Sequence, residues 1–250
     1  MPPWLSLTGA GAAVGFLFGV FGVGGSSFAT PVLGLLGVPG LVAVAAPLPA
    51  AIPAAAAGAY HFVRRGQVDW RIARWSITGG APATVAGALL SREVGGKALL
   101  VASGLMLAVV GFRIVLPIPS DKRLAGRARR RAAVVVPAAA AIGLFTGLLA
   151  NGGGFLLVPL FVLVLGLTMP ESAGTSLVVI AALSVPTLVS HWLLGHIDWS
   201  VSLPFAAGAV PGAFTGSVTV AHVAADRLRR AFGLLLMGFS AFFVVYRLRS

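Results

Sequence analysis

The chain has 250 residues, 58% of them hydrophobic, with 18 basic and 6 acidic side chains and a mean hydropathy of +0.99. A soluble globular domain is about 25% charged, whereas this chain is 10% charged, so an ordinary soluble domain is excluded and a membrane chain is indicated. No cysteine is present, which excludes disulfides, thiolate metal sites and thiol nucleophiles.

The net charge of +12 would suggest nucleic acid in a soluble protein. Here nearly every Lys and Arg stands in a short connector between apolar windows, the pattern of positive-inside topology, so the expected partner is the lipid bilayer and not nucleic acid. Met1-Pro2-Pro3-Trp4 lacks the basic stretch of a secretory signal and is expected to be kept as the start of the first membrane segment. In chain order the apolar segments fall near 5–21, 28–37, 41–63, 72–90, 97–117, 133–150, 155–167, 172–194, 200–220 and 231–247. A crossing needs about 20 mostly apolar residues, so segments 28–37 and 155–167 are too short. Each follows a glycine cluster, and each either completes a helix broken in mid-membrane or forms one limb of a re-entrant hairpin. The connector Ser120 to Arg131 holds six of the 18 basic residues and divides the chain. The expected fold is all-α and polytopic, with about eight transmembrane helices in two homologous repeats, each with a glycine-interrupted first segment. The repeats are 1–118 and 132–250, joined by a basic cytoplasmic loop over 119–131.

The halves match in one register. Gly15, Gly19, Gly24, Gly25 and Pro31 recur 128 residues later as Gly143, Gly147, Gly152, Gly153 and Pro159. After one inserted residue, Gly66, Asp69, Trp70, Gly79, Pro82, Gly87 and Gly104 recur as Gly195, Asp198, Trp199, Gly208, Pro211, Gly216 and Gly233. The number of crossings per half decides whether the repeats are parallel or inverted, and the charge rule alone leaves that open. Counting each broken unit as one crossing places Arg247 and Arg249 inside; counting it as two, or as a hairpin, places Arg227, Arg229 and Arg230 inside.

The stretches Phe21 to Pro31, FGVGGSSFATP, and Leu149 to Pro159, LANGGGFLLVP, carry the candidate chemistry. A glycine break inside hydrocarbon persists only where it is buried in protein or lines a cavity. Beyond it the resumed helix offers free N–H groups and a positive dipole end, which suits an anion. Gly24, Gly25, Gly152, Gly153 and Gly154 would let a ligand approach the backbone, with Ser26, Ser27 and Asn151 adding side-chain donors. Tight helix packing is the competing use of such glycines. Paired breaks at matching repeat positions are a pointer to a transport site, placed here between the two breaks near mid-bilayer.

The duplicated glycine blocks, each closed by a proline, resemble the TauE/SafE family of membrane anion transporters, as do Gly174-Thr175-Ser176-Leu177, His191 and Gly195-x-x-Asp198-Trp199. The likeness covers nearly the whole chain. It implies a multi-pass permease of the bacterial cytoplasmic membrane that exports or imports sulfite, sulfonates or related small organic anions. By the same resemblance, Thr175 and Ser176 match a Thr-Ser pair of the site; the aligned positions of the first half are Ala46 and Pro47, so that contribution would be one-sided.

His191 and His61 hold near-equivalent places close to segment ends. An imidazole there either carries a proton coupled to anion movement or sits at the interface bonded to a carbonyl. Arg113 lies within an apolar window, near enough to Pro117 to snorkel to the headgroups. Pro47, Pro49, Pro53 and Pro186 should loosen their helices. Asp69 and Asp198 each precede a segment and read as helix N-caps. Trp70, Trp75, Trp192 and Trp199 read as interface anchors. No nucleotide-binding pattern appears, His-Glu-x-x-His is absent, and the six acids lie in connectors, so no cofactor, metal or catalytic residue is expected and an enzyme is disfavoured. The expected function is secondary transport of a small anion, with a channel or a structural membrane protein as the alternative.

Overall fold

A computed structural model describes residues 2–24, 26–90, 112, 132–149, 154–193, 195, 197–220 and 222–248. Arg113 and the whole of the basic loop over 119–131 lie outside these residues. Among the described residues every regular element is helical: α1 (Trp4–Phe21), α2 (Ser26–Leu35), α3 (Gly40–Ala45), α4 (Leu48–Arg64), α5 (Trp70–Leu90), α6 (Ala132–Leu149), α7 (Gly154–Pro159) with a π-helical turn over Leu160–Val164, α8 (Met169–Leu193), α9 (Trp199–Val220) and α10 (Ala225–Leu248). Of these, α1, α8 and α9 are long and apolar enough to cross a membrane by themselves.

Local chemistry sets the helix ends. Helix α1 stops at Gly22, whose φ of 67° is a left-handed conformation that glycine adopts without a Cβ penalty. Helix α5 starts where Asp69 Oδ1 accepts the N–H groups of Arg71 and Ile72, both at 3.1 Å, and α9 where Asp198 Oδ1 accepts that of Ser200 at 2.9 Å. Both aspartates are therefore N-caps. Helix α8 opens with a reciprocal box: the Thr168 N–H donates to Glu171 Oε2 at 3.0 Å, and the Glu171 N–H donates to Thr168 Oγ1 at 3.4 Å. Between α3 and α4 the chain loses regular helix at Ala46 and Pro47.

Glycines set the closest packing. The carbonyls of Phe205, Ala209 and Ala213 occupy the space a Cβ would need on Gly11, Gly15 and Gly19, and those of Thr8, Ala12 and Phe16 do the same to Gly208, Gly212 and Gly216. Two helices with small residues every fourth position thus meet backbone to backbone, α1 running parallel to α9. Helices α5 and α6 meet the same way, with the Val136 carbonyl against Gly79 and the Gly80 carbonyl against Gly143. Here most of these glycines serve helix packing.

The contacts also fix helix directions. At one end, Gly22 meets Ala173, Gly174 meets Phe62, the Phe21 ring lies 5.4 Å from that of Phe232, and the Tyr60 ring lies 6.3 Å from that of Phe214. Helices α1, α4 and α9 therefore finish at this end, while α5, α8 and α10 begin there. Arg64, Arg65, Arg71, Arg74, Arg227, Arg229 and Arg230 all lie at it, so it is called the arginine end below. Helix α6, parallel to α5, also runs away from it. Because α1 and α4 both run toward the arginine end, α2 and the residues to Pro39 must carry the chain back between them. The core is filled by Phe18, Phe28, Phe62, Phe161, Phe205 and Phe232.

Candidate functional site

The first glycine block sits at the arginine end. Gly22 is pressed onto the backbone of Ala173 in the first turns of α8, its N–H donates to the Phe18 carbonyl at 2.8 Å, and its own carbonyl accepts the Ser176 hydroxyl at 2.8 Å. Val23 and Gly24 are buried behind it. Ser26 and Ser27 are the first two residues of α2, so they stand at a helix start, while Gly25 lies outside the described residues. The neighbouring Thr175, wholly buried, accepts the Asp69 N–H on its hydroxyl oxygen at 3.0 Å. Thr175 and Ser176 of one half are thus joined to the broken segment and the α4–α5 connector of the other. Both hydroxyls already make a structural bond, and Ser176 has committed its only proton to Gly22.

The second block is only partly visible. Asn151, Gly152 and Gly153 lie outside the described residues. Gly154 starts α7, which passes through Pro159 into the π-helical turn closed by the Leu165 N–H on the Leu160 carbonyl at 3.2 Å. Helix α6 approaches this block running away from the arginine end. The described ends of α1 and α6, which lead into the two blocks, therefore lie toward opposite ends of the bundle. Helix direction decides this, and a composition-based reading has no access to it.

The two histidines are likewise apart. His61, near the end of α4, has its ring 4.8 Å from Phe214 and 5.3 Å from Tyr60, and its Nε2 is buried with no hydrogen-bond partner among the described residues. His191 is buried, engaged with a neighbour, and sits at the far end of α8. Among the described residues no group of three or more His, Asp or Glu side chains is placed to hold a metal. Asp198 titrates below the usual carboxylate range, first because the Ser200 hydroxyl donates to it at 2.6 Å, with backbone donors adding to the effect and partial burial opposing it.

Sequence reading passed over Ser172, Ser184 and Thr187. All three are buried in α8, and they fall on the same helical face as Ser176 and His191. Their spacing of mostly four residues was available as a signal, but single serines in a chain rich in small residues do not stand out.

An all-helical bundle with several membrane-capable helices, seven of its described arginines gathered at one end and a set of polar side chains buried inside, defines a multi-pass membrane protein. The family model for the sulfite exporter TauE/SafE matches residues 7–243, and the chain belongs to that family of membrane transporters. It is 29% identical to a probable membrane transporter protein of Xylella fastidiosa strain 9a5c over 251 residues, covering 96% of this chain and 94% of the relative. A second protein of the same printed name, from strain Temecula1, is 27% identical over the same shares of the two chains. The probable membrane transporter protein YunE of Bacillus subtilis strain 168 is 25% identical over 62% of this chain and 61% of its own length. No solved structure matches.

Proposed function

We propose that this protein is a secondary transporter that moves a small anion, such as sulfite, a sulfonate or another organosulfur anion, across the bacterial cytoplasmic membrane. The observation that carries the reading is the crosswise docking of the first glycine break onto the Thr175–Ser176 turn of the opposite half. Residues 1–118 and 132–250 are then two halves of inverted topology: α1 and α6 run in opposite directions, as do α4 and α8, and α5 and α9. Each broken unit turns the chain back, which gives every half an odd number of passes. Inverted halves build one half-site toward each membrane face, the arrangement that alternating access uses. Helix starts at Ser26 and Gly154 supply N–H donors for an oxyanion, with Gly24, Gly25, Gly152 and Gly153 keeping the approach open and Asn151 adding a donor. His61 and His191, one toward each face, are the groups through which a pH gradient would act. The positive-inside rule makes the arginine end cytoplasmic.

The test is uptake into proteoliposomes of sulfite, thiosulfate, sulfoacetate, taurine and carboxylates, with the pH gradient varied. Saturable, gradient-dependent uptake of one class is expected. Flux that rises linearly with concentration would make the protein a channel, and no flux of any anion would leave a structural role.

A further inference from the structure

Helix α8 is built inside out. At 100° per residue, Ser172, Ser176, Ser184, Thr187 and His191 fall within an arc of about 120° on one face of the helix. All five are at most 9% exposed. Of the large exposed side chains of the same helix, Val185 (48%), Val189 (45%) and Trp192 (61%) lie on the opposite side, and the terminal Leu193 (82%) falls between the two. In membrane bundles, Ser and Thr turned inward serve helix packing or line a pathway, and an inward histidine belongs with the second use. The members of this file differ in what they have left to offer. Ser176 donates to the Gly22 carbonyl, Thr187 donates to the Leu183 carbonyl at 3.0 Å, and His191 is engaged. Ser172 and Ser184 have buried hydroxyls with no partner among the described residues.

Ser184 is placed at mid-depth. Leu183, beside it, packs on Gly80, the middle of the 21-residue α5. Thus Ser184 is 2% exposed, unpartnered, and lies between the arginine end marked by Ser176 and the far end marked by His191. An unmade hydroxyl bond at that depth is costly unless something visits it. Among the described residues this face carries no carboxylate, and the Ser184 hydroxyl has an O–H that is not committed to a neighbour, a donor that an oxyanion can accept.

We infer that the Ser184 hydroxyl is a mid-membrane ligand for the transported oxyanion, and that Ser176, Ser184, Thr187 and His191 line its path along α8. This rests on the transport reading and adds to it a site residue at mid-depth on α8. Ser184 supplies one of the bonds that hold the anion on this path, so the loss of that charge-assisted bond should weaken binding without stopping movement.

The experiment compares wild type, Ser184→Ala and Ser76→Ala in proteoliposomes, using the sulfur oxyanion or sulfonate that wild type takes up best. Ser76 is equally buried and equally unpartnered, but it belongs to α5. Ser184→Ala is expected to raise the KM about tenfold at unchanged maximal rate, while Ser76→Ala leaves the KM as it was. An unchanged KM in Ser184→Ala, or equal shifts in the two variants, overturns the assignment while leaving transport intact. Absence of saturable uptake by wild type removes the transport reading and this assignment with it.

Discussion

Asp198 shows how a single side chain at a helix start is tuned. Its carboxylate accepts both the N–H and the hydroxyl of Ser200, and the hydroxyl is the larger cause of its lowered pKa. A carboxyl whose folded pKa lies below its unfolded value adds stability that is fully present above the ordinary aspartate pKa of about 3.9. That stability is lost as pH falls through the lowered folded value. Ser200→Ala removes the stronger donor and moves the titration back toward the ordinary range. Its stability in detergent should therefore start lower above that range and fall by less as pH drops through the acid window than that of wild type, while Asp198→Asn stays flat through the same window. Superimposable acid limbs for wild type and Ser200→Ala would show that the hydroxyl does not tune the cap. Asp69 caps α5 through two backbone donors and has Thr175 bonded to its own N–H, so Asp69→Ala should cost about 1 kcal/mol in the same assay.

At the scale of elements, the glycine seams decide which helices form pairs. A Cβ on Gly15 would stand where the Ala209 carbonyl is, and one on Gly208 where the Thr8 carbonyl is; neither obstacle is a side chain that can swing away. Gly15→Val or Gly208→Val must push α1 and α9 apart, costing at least about 3 kcal/mol, the upper end of overpacking penalties. Gly9→Ala, with nothing within 4 Å of the added carbon, should be neutral or slightly stabilising. Monodisperse protein recovered in detergent measures both, and wild-type recovery of Gly15→Val would dismiss the seam. The seams also explain what the sequence could convey. Glycines at every fourth position were legible, as were the helix break at Gly22 and the caps at Asp69 and Asp198. Their partners were not, because a glycine that admits a neighbouring backbone and a glycine that admits an anion have the same one-letter code. Ser184 was hidden for a similar reason: its meaning depends on Val185 and Val189 facing outward, which no local pattern of α8 reveals.

For the molecule as a whole, helix directions answer a question that charge leaves open. Docking of Gly22 on Ala173 and Gly174 on Phe62 makes the ends of α1 and α4 coincide with the start of α8, whatever the charges are. That geometry brings Arg64, Arg65, Arg71 and Arg74 to the same end as Arg227, Arg229 and Arg230, and it is the end from which α6, preceded in sequence by Arg129, Arg130 and Arg131, departs. A topology with each broken unit counted as a single crossing would separate the first group from the second. Charge counting alone does not choose between that topology and the inverted one, because Arg247 and Arg249 change sides in the opposite sense; the helix directions choose. The chain should accordingly enter the membrane from outside at Trp4 and present the α4–α5 and α9–α10 connectors to the cytoplasm. Because no native cysteine is present, single substitutions report this without background. Pro2→Cys and Ile197→Cys should react with a membrane-impermeant maleimide in intact cells, and Arg65→Cys and His222→Cys only after permeabilisation. Labelling of Arg65→Cys and His222→Cys on different sides would break the inverted arrangement, and with it the placing of one half-site toward each face.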